Sequence, residues 1–407
     1  MSDTPAGPPA ARPATASGPA AGMRLLGVDL ARSIALLGMM ITHIIPLDDP
    51  DPTWATLFAG RSSALFAVLA GVSVVLSTRT LLSVPGPRAW LAAASGLWVR
   101  GAVIFVLGLL LATLSSSVAV ILANYGLMFI IASFLLRLPR LALGILAPVW
   151  LIATPFLSHA LRTGQGLYPS YDVPDVFMLA DPGLLLTELS ITGYYPVLQW
   201  MGFVLLGMCI ARLDWTSRSL WTGLAFIGSA VAALTLFASS LLLTMGGRAV
   251  LEAELASGAD PFGSELEYLL AVGSYGTTPP GSWWWLVIAG PHSATPLDLL
   301  HTSGVAVAVL AVCMLAARGP ALRWLAPFIA AGAMPLSIYT VHVIGVEITE
   351  ALLPPLAGLA VHIVAALVFA TVWVRFVSPR GPLEWPLSLL VARVRAGLLP
   401  APPASRA

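Results

Sequence analysis

His43 closes a long apolar stretch that opens with Asp29 and Arg32. An ionisable group inside such a stretch carries a functional reading by default, because even a neutral imidazole costs free energy in hydrocarbon unless its nitrogens are satisfied. Asp29 and Arg32 stand three apart on one helical face and can pair, as a topological anchor or as part of a binding site. At about 1.5 Å of rise per residue, His43 lies on the order of 16 Å beyond Arg32. Asp298 and His301 repeat the three-residue spacing, so a carboxylate could orient an imidazole there. Arg61 opens another apolar run, and His342 and Glu347 lie near the end of a third. His292, in the Pro- and Gly-flanked segment AGPHSATP, either joins these groups or is solvated. His159, at the start of a loop, and His362, opening an apolar run without polar company, read as structural.

Histidines, carboxylates and an arginine in a partly dry site can perform general base catalysis on a hydroxyl or amine, with the arginine holding an anionic group. The same groups could instead relay protons through a transporter of small molecules. A non-catalytic scaffold is the third possibility, and it predicts that substitution of His43 is silent. No GxSxG, HExxH, CxxC or Walker motif is present, which leaves hydrolase, zincin, redox and nucleotide-triphosphatase readings unsupported. All twenty basic residues are Arg, so no Lys is available for Schiff-base chemistry. Cys209 and Cys313 sit apart in apolar surroundings and offer neither a disulfide framework nor a thiolate metal site.

The elements that must hold these groups are membrane spans. The chain is 58% apolar and 10% charged, with a mean hydropathy of +0.90, outside the balance of a water-soluble domain. Apolar runs long enough to cross a bilayer fall near 28–46, 62–79, 96–113, 118–136, 141–157, 196–211, 220–245, 297–317, 325–346 and 357–377. The expected fold class is therefore all-α, a polytopic bundle of about ten transmembrane helices with both termini cytoplasmic. Residues 1–22, rich in Pro, Ala and Gly, are expected to form a disordered cytoplasmic tail, followed by a membrane domain over 23–390 and a second tail over 391–407. On that topology nearly every Arg falls inside and only Arg61, Arg162 and Arg248 fall outside, as the positive-inside rule requires. His43, Arg61, Asp298, His301, His342 and Glu347 then converge at one depth toward the outer face. Two long outer segments, about 158–195 and 246–296, carry the expectation of function, and Trp283–Ile288 reads as an interfacial or re-entrant piece.

The stretches RLLGVDLARSIALLGMMITHIIP and GRSSALFAVLAGVSVVLSTRT resemble the opening of the bacterial YeiB-like membrane proteins and of the heparan-alpha-glucosaminide N-acetyltransferase family. WMGFVLLGMCIARLD, TPLDLLHTSGVAVAVLAVCML, MPLSIYTVHVIG and RGPLEW follow in the order of the YeiB-like C-terminal half. The resemblance implies a transmembrane acyltransferase. Acyl-coenzyme A, carrying acetyl or another short acyl group, would be the co-substrate on the cytoplasmic side, with no permanently bound cofactor and no metal. The acceptor would be a small molecule, lipid or envelope glycan on the far side. It matches Asp29 and Arg32 to the first-helix motif, read as contacts to the donor, and Arg61 to the start of the second span, read with His292, His342 and Glu347 as substrate-binding. Where the eukaryotic enzymes place their catalytic histidine, in the first outer loop, this chain has PLDDPDPTWATLFAG and none. The base is accordingly assigned to His43 or His301, with Asp298 beside the latter. The expected location is the inner (plasma) membrane, with the lipid bilayer as a partner, no nucleic acid, and room for a homo-oligomer.

Overall fold

A computed structural model describes residues 25–48, 53–114, 117–260, 263–319 and 322–398. Most of the described chain is helical, and no strand occurs among the described residues. The first half holds α1 (Leu26–Ile44), α2 (Arg61–Leu82), α3 (Pro87–Leu114), α4 (Leu122–Phe134), α5 (Arg140–Gln165), α6 (Pro182–Thr187) and α7 (Val197–Ile210). The second holds α8 (Arg218–Leu242), α9 (Arg248–Ala256), α10 (Leu266–Ala271), α11 (Pro296–Ala316), α12 (Leu322–Gly332), α13 (Pro335–Leu352), α14 (Pro355–Phe376) and α15 (Glu384–Ala396). Seven helical segments among the described residues are long and apolar enough to cross a membrane, and two bent pairs raise the number to nine. The run near 118–136 folds as the 13-residue α4, shorter than a full span. The expected N-terminal tail lies outside the described residues, whereas α15 crosses the expected boundary at residue 390.

α1 is the most buried of the long segments, and it packs on α2, α11, α12, α13 and α14. The Asp29–Arg32 pair and His43 therefore face protein and not lipid. α8 and α14, the least buried of the seven, turn Phe226, Leu234, Phe237, Val364, Val368 and Phe376 outward. A bilayer accepts such surface without cost, whereas water would not.

The single helix expected over 325–346 is instead two, α12 and α13, bent by 71°. Pro335 supplies the reason, since it lacks an amide hydrogen and pushes Met334 out of the helical region, to φ −134° and ψ 52°. Just before the break, Gly332 lies against the backbone of α1: a Cβ there would come within 1.7 Å of the Asp29 carbonyl oxygen. Glu384 then caps the new helix start. Its Oε1 accepts the Leu336 and Ser337 N–H groups at 2.8 and 3.1 Å, and its Oε2 accepts the Ser337 hydroxyl at 2.5 Å.

The two long segments expected to lie outside carry structure of their own. α5 runs to Gln165, so His159 and Arg162 belong to a helix and not to the loop expected from 158 onward. There His159 Nε2 lies 3.1 Å from the Gly281 carbonyl, and Arg162 donates to the Thr278 carbonyl. The tryptophan-rich piece forms a 3-10 turn over Trp283–Val287, and the fully buried Trp285 donates its indole N–H to Glu254 Oε2 at 2.8 Å.

Candidate active site

His43 stands in the last turn of α1, a helix with most of its residues buried. It lines a cavity of about 200 Å³ together with Thr42, Ser62, Ser63, Tyr194 and His292. Its Nδ1 is 3.1 Å from His342 Nε2, and His342 Nδ1 is 2.9 Å from His362 Nδ1. His43 Nε2 has no hydrogen-bond partner among the described residues and is left to the cavity. His362, expected to have no polar company, is the far end of this chain, and its Nε2 lies 3.0 Å from Thr349 Oγ1.

The second cluster does not form as the three-residue spacing of Asp298 and His301 suggested. Arg61 Nε donates to His301 Nε2 at 3.0 Å, and His301 Nδ1 lies 3.0 Å from the Ala232 carbonyl. A carbonyl only accepts, so Nδ1 carries the hydrogen and both nitrogens are occupied. Asp298 makes no hydrogen bond to His301; its Oδ2 accepts the Ala294 N–H at 3.0 Å, inside the loop that precedes α11. Thr295 caps α11 by accepting the Asp298 N–H at 3.1 Å, and its own hydroxyl donates to the Ile288 carbonyl at 2.5 Å. Asp298 and Thr295 thus fix the loop that carries His292.

His292 is not solvated. It packs against Tyr194 with ring centroids 4.4 Å apart, and its Nε2 accepts the Gly60 N–H at 3.0 Å. Gly60 adopts φ +71°, a left-handed turn that aims its N–H at the imidazole. Because Nε2 accepts, Nδ1 bears the hydrogen, and Nδ1 is buried without a partner. Burial, reinforced by His43 and Arg61 nearby, lowers the pKa of His292 to about 3, so the ring is neutral at physiological pH. The backbone at His292 is itself strained, with φ 54°, in a region non-glycine residues rarely occupy. Tyr171 and Tyr275, with centroids 4.1 Å apart, also line the cavity, and burial pushes the Tyr275 phenol up to about 12. Glu347 holds another part of this wall by accepting the Ser117 N–H and hydroxyl at 3.1 and 3.0 Å.

A second cavity, of about 460 Å³, lies toward the Arg32 end of α1. Its walls are largely apolar, with Phe66, Ile104, Tyr125 and Phe129, but Arg32, Arg100 and Glu384 also line it. Arg32 is engaged, donating to Asp29 Oδ1 at 2.7 Å and Ser73 Oγ at 2.6 Å. Arg395 donates to the Ser77 carbonyl at 3.2 Å and keeps a buried Nε without a partner. Arg100 makes no hydrogen bond or ion pair among the described residues, although Arg32, Arg395 and Glu384 are its charged neighbours. A guanidinium left unpaired in an apolar cavity is costly unless a ligand satisfies it. Met39, one side chain of α1, lines both cavities.

The family model for the heparan-alpha-glucosaminide N-acetyltransferase catalytic region matches residues 24–245, more than half of the chain. The chain belongs to this family. It is accordingly a member of an acetyltransferase family with multiple apolar, membrane-length helices. No curated protein matches the chain. The stretch shared with the N-acetyltransferase family holds Asp29, Arg32, His43, Arg61 and Arg100, whereas His292, Asp298, His301, His342, Glu347, His362, Glu384 and Arg395 lie beyond it.

Of the residues singled out in the sequence, His43 and His292 share one cavity with His342 directly behind, and Arg32 lines the other. Arg61, His301 and Asp298 build the scaffold around His292, and Glu347 anchors a wall. Arg100, Arg395, Glu384 and Thr349 were not singled out, and His362 was read as structural. Two of these were legible in principle: Thr349 and His362 stand nearly equidistant from the Pro354–Pro355 turn, so antiparallel helices leaving that turn would bring them together.

Proposed function

We propose that this chain transfers a short acyl group, acetyl in keeping with its family, from acyl-coenzyme A at the arginine-lined cavity to an amine or hydroxyl acceptor at the histidine-lined one. The observation that carries the reading is Met39, which walls both cavities and leaves one side chain between an anion-receptive chamber and a bare imidazole nitrogen. The positive-inside pattern supports an arginine end in the cytoplasm, where the coenzyme A ester is available, with the acceptor on the far side of the membrane.

Arg100 and Arg32 hold the anionic part of the donor, with Arg395 a charged neighbour of Arg100, and the apolar wall from Ile104 to Met39 accommodates its uncharged arm. His43 Nε2 takes the proton of the acceptor as the carbonyl is attacked. His292 Nδ1–H, buried and without a partner, supplies a hydrogen bond to the oxyanion that develops. His301 is not the base in this scheme, since Arg61 occupies its lone pair.

The test is transfer of label from labelled acetyl-coenzyme A by the purified chain in lipid nanodiscs, with amino sugars, envelope glycans and lipid extracts as acceptors. Label is expected in an acceptor for the wild type and is lost in His43→Ala. Absence of both transfer and thioester consumption across the panel would discard the enzyme reading in favour of a transporter.

A further inference from the structure

Behind His43 stands a single file of polar groups that the acyl-transfer scheme does not use. The rings of His43 and His342 are nearly parallel, 11° apart, with centroids separated by 5.3 Å and nitrogens by 3.1 Å. The centroid distance is the nitrogen separation plus about one ring radius on each side, so the rings lie edge to edge, with an N–H of one pointing at a lone pair of the other. The His342 and His362 rings are perpendicular, with nitrogens 2.9 Å apart. No carboxylate or guanidinium hydrogen-bonds to any of the three rings among the described residues. The chain is therefore neutral, and its hydrogens must follow one another in sequence.

Thr349 sets their direction. Its hydroxyl has one hydrogen and lies 3.1 Å from both the Gly345 and Val346 carbonyls of its own helix, the usual acceptors for a helical threonine. It therefore accepts from His362 Nε2. With the hydrogen on Nε2, His362 Nδ1 must accept from His342 Nδ1–H. His342 Nε2 must then accept from His43 Nδ1–H, and this leaves His43 Nε2 bare toward the cavity.

We infer that Thr349, His362 and His342 form a proton relay that holds His43 as the tautomer with an unprotonated Nε2 and draws the charge away from it once that nitrogen is protonated. As the acceptor N–H or O–H bond breaks, an N–H bond forms at His43 Nε2. The His43 Nδ1 hydrogen passes to His342 Nε2, and the His342 Nδ1 hydrogen passes to His362 Nδ1. The imidazolium then rests on His362, whose Nε2–H already meets the Thr349 hydroxyl oxygen. When the thiolate leaves, the hydrogens return along the file and His43 Nε2 delivers the proton to sulfur, so no outside acid or base is consumed. The catalytic part of this relay rests on the acyl-transfer reading; the order of tautomers does not.

The full-length chain labelled with 15N-histidine in nanodiscs separates the two. NMR distinguishes protonated from bare ring nitrogens, and single histidine variants assign the signals. The expected pattern is hydrogen on His43 Nδ1, His342 Nδ1 and His362 Nε2, lost or reversed in Thr349→Val and kept in Thr349→Ser. In transfer assays, Thr349→Val is expected to lower kcat roughly tenfold at an unchanged KM for acetyl-coenzyme A. It should also turn a multi-proton solvent isotope effect into a single-proton one, with Thr349→Ser retaining both wild-type values. A hydrogen on His43 Nε2 in the wild type, or tautomers indifferent to Thr349→Val, overturns the relay. Transfer that persists with its isotope effect unaltered in Thr349→Val overturns the relay and leaves the acyl-transfer reading standing. The expected tautomers without any acyl transfer uphold the order of the file and remove the reaction assigned to it.

Discussion

Arg61 Nε donates to His301 Nε2 over 3.0 Å, and this bond separates the two histidines that could have served as base. A lone pair committed to a guanidinium is not free to accept a proton from a substrate. His301→Gln is therefore expected to act mainly on stability, through the loss of the bonds to Arg61 and Ala232, while His43→Ala lowers kcat by roughly 10² to 10⁴-fold, the span of general base catalysis. Rates of label transfer measured beside thermal unfolding for both variants decide this.

Arg100 lines the larger cavity with no hydrogen bond or ion pair among the described residues, so its removal should cost binding and not stability. Arg100→Met is expected to raise the KM for acetyl-coenzyme A by about 10- to 100-fold, the worth of one hydrogen bond to a charged group. Its unfolding temperature without donor should stay equal to that of the wild type or rise, because burying the guanidinium unpaired is costly. Donor titrations and thermal scans of the same preparation give both quantities.

Met39 stands between the two cavities, and a bulkier side chain there should interrupt passage without touching either set of polar groups. For Met39→Phe the expectation is a lower kcat with donor affinity nearly unchanged, at a packing cost of about 1–3 kcal/mol. Equilibrium binding of a non-hydrolysable coenzyme A thioether, set against turnover, separates the two effects.

His292 gives the fold an acid-sensitive element. Its pKa is lowered to about 3 in the folded chain, from an ordinary value of 6.5, so the unfolded state binds more protons between those limits. Stability contributed by the neutral ring is complete above about pH 6.5 and is lost as the pH falls toward 3. His292→Gln is expected to flatten the decline of stability between pH 6 and 4 and to leave the slope above pH 7 unchanged. Chemical unfolding in detergent at a series of pH values checks this.

Glu384 satisfies two amides at the start of α13 and ties α15 to the mouth of the inner cavity. Glu384→Ala is expected to destabilise the chain by about 1–2 kcal/mol, as removal of a helix cap does. Hydrogen exchange of the Leu336 and Ser337 amides should accelerate in the variant, while those near His43 remain protected.

Much of the architecture could be read from the chain alone because the bilayer imposes strict terms on it. Apolar length, Arg placement and helical spacing identified the runs now seen as helices, including the Asp29–Arg32 pair, whose partners lie within one turn. The break at Met334–Pro335 was also written locally, in a proline that cannot continue a helix, but a sustained apolar run masked it. The three-residue spacing of Asp298 and His301 misled for a related reason. It fixes which face two side chains share, not which of several competing donors each one meets, and Arg61 and the Ala294 amide won.

The sequence by itself determined that the chain is helical, that it carries multiple membrane-length apolar segments, and that His43 sits at the far end of the first of them. Only the tertiary structure decided that His43 is backed by His342 and His362, that His292 turns into the cavity from the loop before α11, and that Arg100 has no partner among the described residues. These facts depend on contacts between residues as far apart as 43 and 342, set by how α1 is enclosed, how α12 and α13 bend and how the outer segments fold back. Local periodicity carries no information on such distances, because a helix specifies the direction of its own side chains but not the neighbour that will face them.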